Sequence, residues 1–321
     1  MSENIILKED VDFDVIVNKK IAIIGYGNQG RAQALNLRDS GLNVKIGLRK
    51  NSKTIQAVLN DKFSVLDIKD ALIWADIISV LLPDKVAPKV FREYFDDSII
   101  RGKTILFSHG YNIHYEFILP PVDVNIIMVA PSSGGQVLRD EYKKNYGVPA
   151  LIAINQDFTK DAYEIAKAYA QGIGSMRVCV FKSTFKEETE TDIFGEQAIL
   201  TGGLPFLINS AFNTLIKNGY SPTTAWFVCY YEVKTIVDLF HKKGFSDFYQ
   251  MISDTARYGG LSKGRTLIDP DFENKLQSIL EDIQSGKFNN ELSMSVDNKN
   301  LPENFSEIEK QTRVLLKHIK K

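Results

Sequence analysis

Ile21-Ala22-Ile23-Ile24-Gly25-Tyr26-Gly27-Asn28-Gln29-Gly30 is a short apolar run that breaks into three glycines and resumes as Arg31-Ala32-Gln33-Ala34-Leu35-Asn36-Leu37. The pattern predicts a buried strand, a tight turn and the opening of a helix. Gly25 permits the turn, Gly27 leaves bare backbone that a pyrophosphate can approach, and Gly30 lets the helix lie close to the strand. Unpaired amides at the helix start attract an anion. The same spacing also occurs in turns that hold no ligand, because glycine is selected there for its conformation alone. Context favours the nucleotide: the helical period of Ala34, Leu35 and Leu37 follows at once, and Val44-Lys45-Ile46-Gly47-Leu48 arrives as a second strand at the spacing of a βαβ unit.

The end of that second strand bears on which nucleotide is held. An NAD site places Asp or Glu there, about 20 residues beyond the turn, to bind the ribose 2′-hydroxyl. Here the residues are Arg49-Lys50-Asn51-Ser52-Lys53-Thr54, with no carboxylate among them. A guanidinium, ammonium groups and hydroxyls suit a 2′-phosphate, so NADPH is preferred. The alternative is a solvated basic turn.

The 321 residues suit two domains, and 44% hydrophobic content is enough for a real core. Lys plus Arg number 39 against 40 Asp plus Glu, which leaves no basic footprint for nucleic acid or an anionic membrane. Cys179 and Cys229 form neither a zinc spacing nor a disulfide framework, so a reducing compartment and two core thiols are expected. The first ten residues lack the basic-then-apolar order of a signal peptide, and no apolar run of membrane-spanning length stands out. A cytoplasmic protein with no membrane or nucleic-acid partner is the expectation.

Further strands are expected at Ile77 to Leu82, Lys103 to Ser108, Val124 to Pro131 and Ala150 to Ile154, with Val178 to Phe181 closing the sheet. Ligands of such sheets sit off the carboxyl ends of strands, so the turn Pro83 to Ala87 should face the cofactor. Beyond Lys182 the pattern becomes helical: Glu196 to Leu200, Phe206 to Lys217, Thr223 to Phe240, Phe248 to Arg257 and Glu273 to Ile283. A polar loop from Asn289 to Asn304 and a last helix from Phe305 to Ile319 complete the chain. The expected fold is α/β: a Rossmann-type doubly wound sheet over residues 1–182 and an all-helical domain over 183–321.

At the junction stands Phe185-Lys186-Glu187-Glu188-Thr189-Glu190-Thr191-Asp192-Ile193-Phe194-Gly195-Glu196-Gln197. Asp192 and Glu196 are four apart, so on a helix their carboxylates share a face, with Cβ atoms about 5 to 6 Å apart. Clustered hard oxygens are what Mg²⁺ takes. An acidic helix start is also what the helix dipole favours with no metal present.

Taken together, Gly25 to Gly30, Leu81-Leu82-Pro83-Asp84, His109-Gly110-Tyr111-Asn112-Ile113-His114, Met128-Val129-Ala130-Pro131 and Phe185 to Gln197 resemble the short form of ketol-acid reductoisomerase, from about Val15 to about Phe288. The resemblance implies an enzyme that shifts an alkyl group of 2-acetolactate or 2-aceto-2-hydroxybutyrate and reduces the product with NADPH, using two Mg²⁺ ions. It implies a knotted helical domain intertwined with that of a second copy, hence a homodimer at least. By position, Tyr26, Gly27, Asn28, Gln29, Arg49, Ser52, Thr54, Asp84, Lys85, Val86, Ala87 and Gly135 would hold NADPH. His109 would be the active-site histidine, Asp192 would bridge both metals, Glu196 would bind the first, Glu232 would serve the second from a partner subunit, and Ser253 would contact substrate.

The chain departs from the family at chemically important positions. The family's lysine after Ala-Pro is replaced by Ser132, and a glutamate four residues before Glu232 by Val228. A serine brings no cation to an oxyanion, and valine brings no ligand to a metal. Arg31 and Gln33 replace histidines, Met251 a serine and Arg257 a glutamate. Three readings follow: a full reductoisomerase, an NADPH reductase of another small ketone or imine that lacks alkyl migration, and a non-catalytic nucleotide binder. The intact glycine turn and the intact Asp192–Glu196 pair weigh against the last.

Overall fold

A computed structural model describes residues 4–294 and 305–319. The chain divides into two compact units between Thr189 and Glu190. In the first, the strands are β1 (Ile5–Ile6), β2 (Lys20–Ile24), β3 (Asn43–Leu48), β4 (Val65–Asp67), β5 (Ile77–Val80), β6 (Thr104–Phe107), β7 (Asn125–Pro131), β8 (Ala150–Gln156) and β9 (Val180–Lys182). They form one sheet in the order β1-β9-β8-β7-β6-β5-β2-β3-β4.

Every residue of β2 after Lys20 is fully buried, and alternate side chains enter different cores. Ile21 and Ile23 pack with Leu37, Ile46 and Tyr169 on one face, while Ala22 and Ile24 pack with Leu72, Ile78 and Ile105 on the other. Both faces are thus covered, which is why these strands are apolar throughout instead of alternating. From β2 the chain runs outward through β3 to β4 and then returns to β5 on the other side of β2. Strand order therefore reverses at β2 and β5, whose carboxyl ends diverge and leave a crevice.

The expected strands form, with two additions and a correction. Strands β1 and β4 are only two and three residues long, too short to show a period in sequence. Val180–Lys182 does not close the sheet: β1 lies outside it, antiparallel. Strand β8 is also antiparallel, to β7, and the pairs other than β1–β9 and β7–β8 are parallel.

The described part of the second unit is helical: Gly203–Lys217, Pro222–Trp226, Glu232–Met251, Asp254–Leu267, Pro270–Gln284, Lys287–Met294 and Ser306–Leu315. Ser221 caps the second of these by accepting from the Thr224 amide, with Pro222 in the first turn. Two stretches, Glu196–Leu200 and Phe227–Tyr231, are π-helical. Gly244, at φ 76°, breaks the helix Glu232–Met251, so helix ends differ from the sequence expectation there. The loop expected at Asn289 to Asn304 begins instead as the helix Lys287–Met294, whose polar composition hid its period; the remainder lies outside the described residues.

Phe185–Lys217 is long and apolar enough to pass for a membrane-crossing helix by length and composition alone, a test that helices of soluble proteins also pass. Cys179 and Cys229 are free and only half-buried, not core residues, although burial still raises both thiol pKa values.

Candidate active site

The turn after β2 is built as its glycines require. Gly25 has φ +100°, and a Cβ there would stand 2.5 Å from the Leu81 carbonyl oxygen. Its amide is tied to the Gly47 carbonyl at 3.2 Å. Gly27 then caps the helix Asn28–Asp39 in an extended conformation, with open space where a Cβ would lie. Bare amides at a helix start, with nothing above them, are an anion site. A second helix, Gly135–Lys143, presses on this turn: a Cβ on Gly135 would be 2.0 Å from the Asn28 carbonyl oxygen.

Off the carboxyl ends of β2, β5 and β6 opens a cleft of about 290 Å³ lined by Gly27, Asn28, Gln29, Leu82, Asp84, Ala87, Ser108, His109 and Asn112, among others. It gathers six positions expected to bind cofactor or act in catalysis: Gly27, Asn28, Gln29, Asp84, Ala87 and His109. Gly25 and Gly30 lie behind it as scaffold. Lys85 and Val86 belong to the turn, where the Val86 amide donates to the Pro83 carbonyl at 2.8 Å. Asn112 is buried, its Oδ1 has no hydrogen-bond partner, and such an orphaned acceptor fits the amide or hydroxyl donors of a dinucleotide. The residues present therefore fit NADPH.

Tyr26 is placed differently from its neighbours. Its ring packs edge-on against Phe63 and its hydroxyl donates to Asp61 at 2.9 Å, so only its main chain can serve a cofactor. Burial, then the Asp61 carboxylate, pushes the Tyr26 hydroxyl pKa well up. Arg31 donates to both Asp61 oxygens, at 2.6 and 3.0 Å.

Arg49 lies at a second cavity, with Lys50, Asn51, Asp67, Lys69, Asp70 and Tyr94. Ser52 and Thr54 form the adjoining turn, their hydroxyls 2.9 Å apart. The absence of a carboxylate from Arg49 to Thr54 does not carry into space: Asp67 and Asp70 arrive from β4 and the helix after it. Three cations still face two anions there, which retains a preference for a 2′-phosphate.

His109 is held by its neighbours. Its Nδ1 is 2.9 Å from one Glu188 oxygen, and the Gly110 amide donates to the other at 2.8 Å. Glu188 is buried at 4% exposure. Its carboxylate thus fixes the proton on Nδ1 and makes Nε2 the proton-accepting atom of the ring. Tyr111 stacks beside His109, its hydroxyl pushed up to about 12 by burial and the nearby Asp84 charge.

The other expected residues belong to the second unit. Asp192 and Glu196 are exposed and one turn apart, and Glu196 opens the first π-helical stretch. Glu232 is exposed and follows the second π-helical stretch, which contains Val228 at 45% exposure. Extra-residue turns of this kind re-aim side chains and often mark sites. Ser253 caps the helix Asp254–Leu267 by accepting from the Ala256 amide at 3.2 Å. Among the described residues, Asp192, Glu196 and Glu232 of one chain do not converge as a three-ligand set. Two hard carboxylates fit one Mg²⁺ completed by water; Val228 adds nothing for a second.

Ser132 is exposed, and its amide donates to the Pro149 carbonyl at 2.8 Å. Among the described residues, no lysine or arginine lines the cleft. Sequence reading missed Glu188, Asp61, Ser108 and the role of Gln33. The signal for Gln33 was a polar residue on the apolar face of a helix, where it is fully buried.

Family models match both parts of the chain: the acetohydroxy acid isomeroreductase NADPH-binding domain over residues 15–179 and the ketol-acid reductoisomerase C-terminal domain over residues 185–317. The chain is 48% identical over 286 residues to a ketol-acid reductoisomerase (NADP(+)) of Methanocaldococcus jannaschii, covering 89% of this chain and 87% of that one. It is 46% identical over 282 residues to the enzyme of the same name from Methanococcus maripaludis, covering 88% and 86%. Among solved structures, an NADH-preferring ketol-acid reductoisomerase from an uncultured archean matches with a TM-score of 0.86 at 36% identity, covering 98% of this chain and 93% of that one.

Proposed function

The chain belongs to the ketol-acid reductoisomerase family, and from that premise we propose that it is an NADPH-dependent oxidoreductase that reduces a small 2-keto or hydroxy-keto acid with the help of Mg²⁺. The observation that carries this reading is the cleft at the β2–β5 switch point, where the glycine turn, Asp84 and His109 meet. Bound nicotinamide supplies the hydride. The protein's part is to orient it, exclude water and manage protons at His109 Nε2. Asp192 and Glu196 would hold Mg²⁺, which polarises a carbonyl when bound.

The full family reaction on 2-acetolactate requires alkyl migration as well, and here the chain's own residues weigh against ordinary rates. Losing one transition-state donor costs about 10² to 10³ in turnover. Ser132 and Val228 remove a cation and a carboxylate together. Reduction of an already migrated or simpler ketone, without alkyl migration, is the alternative that Ser132 and Val228 favour.

A homodimer is part of the proposal. The second unit has a small buried cluster, Phe212, Ala225, Trp226 and Ile308, yet exposes Leu200, Phe206, Leu207, Phe245 and Tyr258. Apolar surface of that extent favours a covering partner. A second copy would also bring a second Glu232, which a single chain does not place with Asp192 and Glu196.

The test follows NADPH absorbance with 2-acetolactate, with 3-hydroxy-3-methyl-2-ketobutyrate and with a panel of 2-keto acids and imines, each with and without Mg²⁺. Turnover of the hydroxy-keto acid or the panel, with acetolactate far slower, is the expected result. Acetolactate turned over as fast as the migrated ketone overturns the loss of migration. NADPH binding with no turnover of any probe overturns the reductase.

A further inference from the structure

Behind the cleft runs a buried chain of hydrogen bonds whose direction is set residue by residue. Burial raises the Tyr169 hydroxyl pKa, so it stays protonated, and it donates to Gln33 Oε1 at 2.9 Å. Having given its proton to Gln33, Tyr169 can only accept from Ser79, 3.0 Å away. The Gln33 amide is thereby oriented with Nε2 toward the cleft. Its two protons go to Gln29 Oε1 at 3.1 Å and to Ser108 Oγ at 2.9 Å. Gln29 is fixed in turn by donating to the Ser133 carbonyl at 2.7 Å.

The consequence falls on Ser108. It follows β6 and lines the cleft between Phe107 and His109. Its oxygen already accepts from Gln33, and no acceptor for its proton is present among the described residues. Gln29 spends its Nε2 on the Ser133 carbonyl, so its Oε1 faces Gln33 and takes a Gln33 N–H; a flipped Gln33 would set two amide oxygens against each other, and the chain keeps its direction. A hydroxyl held this way is a one-way donor into the cleft.

We infer that Ser108 is a ligand-binding residue that donates its hydroxyl proton to a carbonyl oxygen held in the cleft, with Gln33 as its positioning residue. Two sources carry that chemistry, the carboxamide of the nicotinamide and the keto group of the substrate. The inference rests on the cofactor reading given above. It also accounts for Gln33 at a position where an apolar side chain would pack without needing partners.

The experiment uses the full chain with Ser108→Ala and Ser108→Thr. NADPH and 2′-phospho-ADP-ribose, which lacks the nicotinamide, are titrated by fluorescence or calorimetry, and the reduction of 3-hydroxy-3-methyl-2-ketobutyrate is followed with Mg²⁺. If the carboxamide is the acceptor, Ser108→Ala raises the Kd for NADPH about 3- to 10-fold and leaves that for 2′-phospho-ADP-ribose unchanged. If the keto group is the acceptor, both Kd values hold and kcat/KM falls about 10²-fold. In either case Ser108→Thr, which keeps the hydroxyl, restores most of the loss. Ser108→Ala equal to the wild type in every measurement overturns the inference. A wild type that binds NADPH but reduces nothing defeats the reductase reading alone, and the titrations then decide the inference by themselves.

Discussion

His109 Nδ1 sits 2.9 Å from Glu188, a carboxylate buried at 4% exposure whose second oxygen takes the Gly110 amide. The acid therefore does two things at once: it fixes the imidazole tautomer and pins the backbone beside it. Glu188→Gln keeps the shape but can present an N–H to Nδ1 and turn the ring's accepting atom the wrong way. We expect reduction of the migrated keto acid to fall about 10²-fold in kcat with the NADPH Kd unchanged. A variant with wild-type kcat would show that His109 needs no orienting acid.

Restoring the missing groups tests whether Ser132 and Val228 limit alkyl migration. Ser132→Lys with Val228→Glu should raise turnover of 2-acetolactate by about 10²-fold or more, while turnover of the already migrated ketone changes little. Ser132 is exposed and Val228 is 45% exposed, so both longer side chains have room. If both substrates respond equally, the two positions act on reduction or on assembly, not on migration.

The parts that could be read in the sequence are those in which one short stretch does one job. Gly25 to Gly30 announced its strand, turn and helix because the glycine spacing and the 3.6-residue period lie side by side. Ser221-Pro222 announced a helix start for the same reason. What escaped is what depends on separated residues. Glu188 was read as part of an acidic block, since nothing local says that its carboxylate reaches His109, 79 positions earlier. Asp67 and Asp70 stayed out of account at the Arg49 turn because β4 is three residues long and gives no period. Gly244 and the two π-helical stretches were invisible because a helical period tolerates one extra residue.

Arg49 and the acids beside it make the cofactor preference measurable. Arg49→Ala should weaken NADPH about 10-fold or more and leave NADH nearly unchanged, since a charge-assisted bond to a 2′-phosphate is lost and nothing else. Asp70→Asn should tighten NADPH by up to about 3-fold at low salt, an effect erased by added salt. Equal losses for both cofactors in Arg49→Ala would place the 2′-phosphate elsewhere.

Asp61 links the glycine turn to acid stability. It accepts from Tyr26 and from both donors of Arg31, and the Arg31 guanidinium holds its carboxyl below the usual carboxylate range. A carboxylate with a depressed folded pKa stabilises the protein fully above its unfolded value of about 4. That contribution drains away as the pH falls from there through the lower folded value. Because Arg31 is 52% exposed, water screens the pair, and about 1 kcal/mol is expected from Asp61→Asn at pH 7. Thermal melts of the wild type and Asp61→Asn should therefore differ at pH 7 and converge as the pH is lowered below 4. A gap that persists unchanged in strong acid would mean that Asp61 acts through shape or packing, and that its charge contributes nothing to holding Tyr26 and the turn in place.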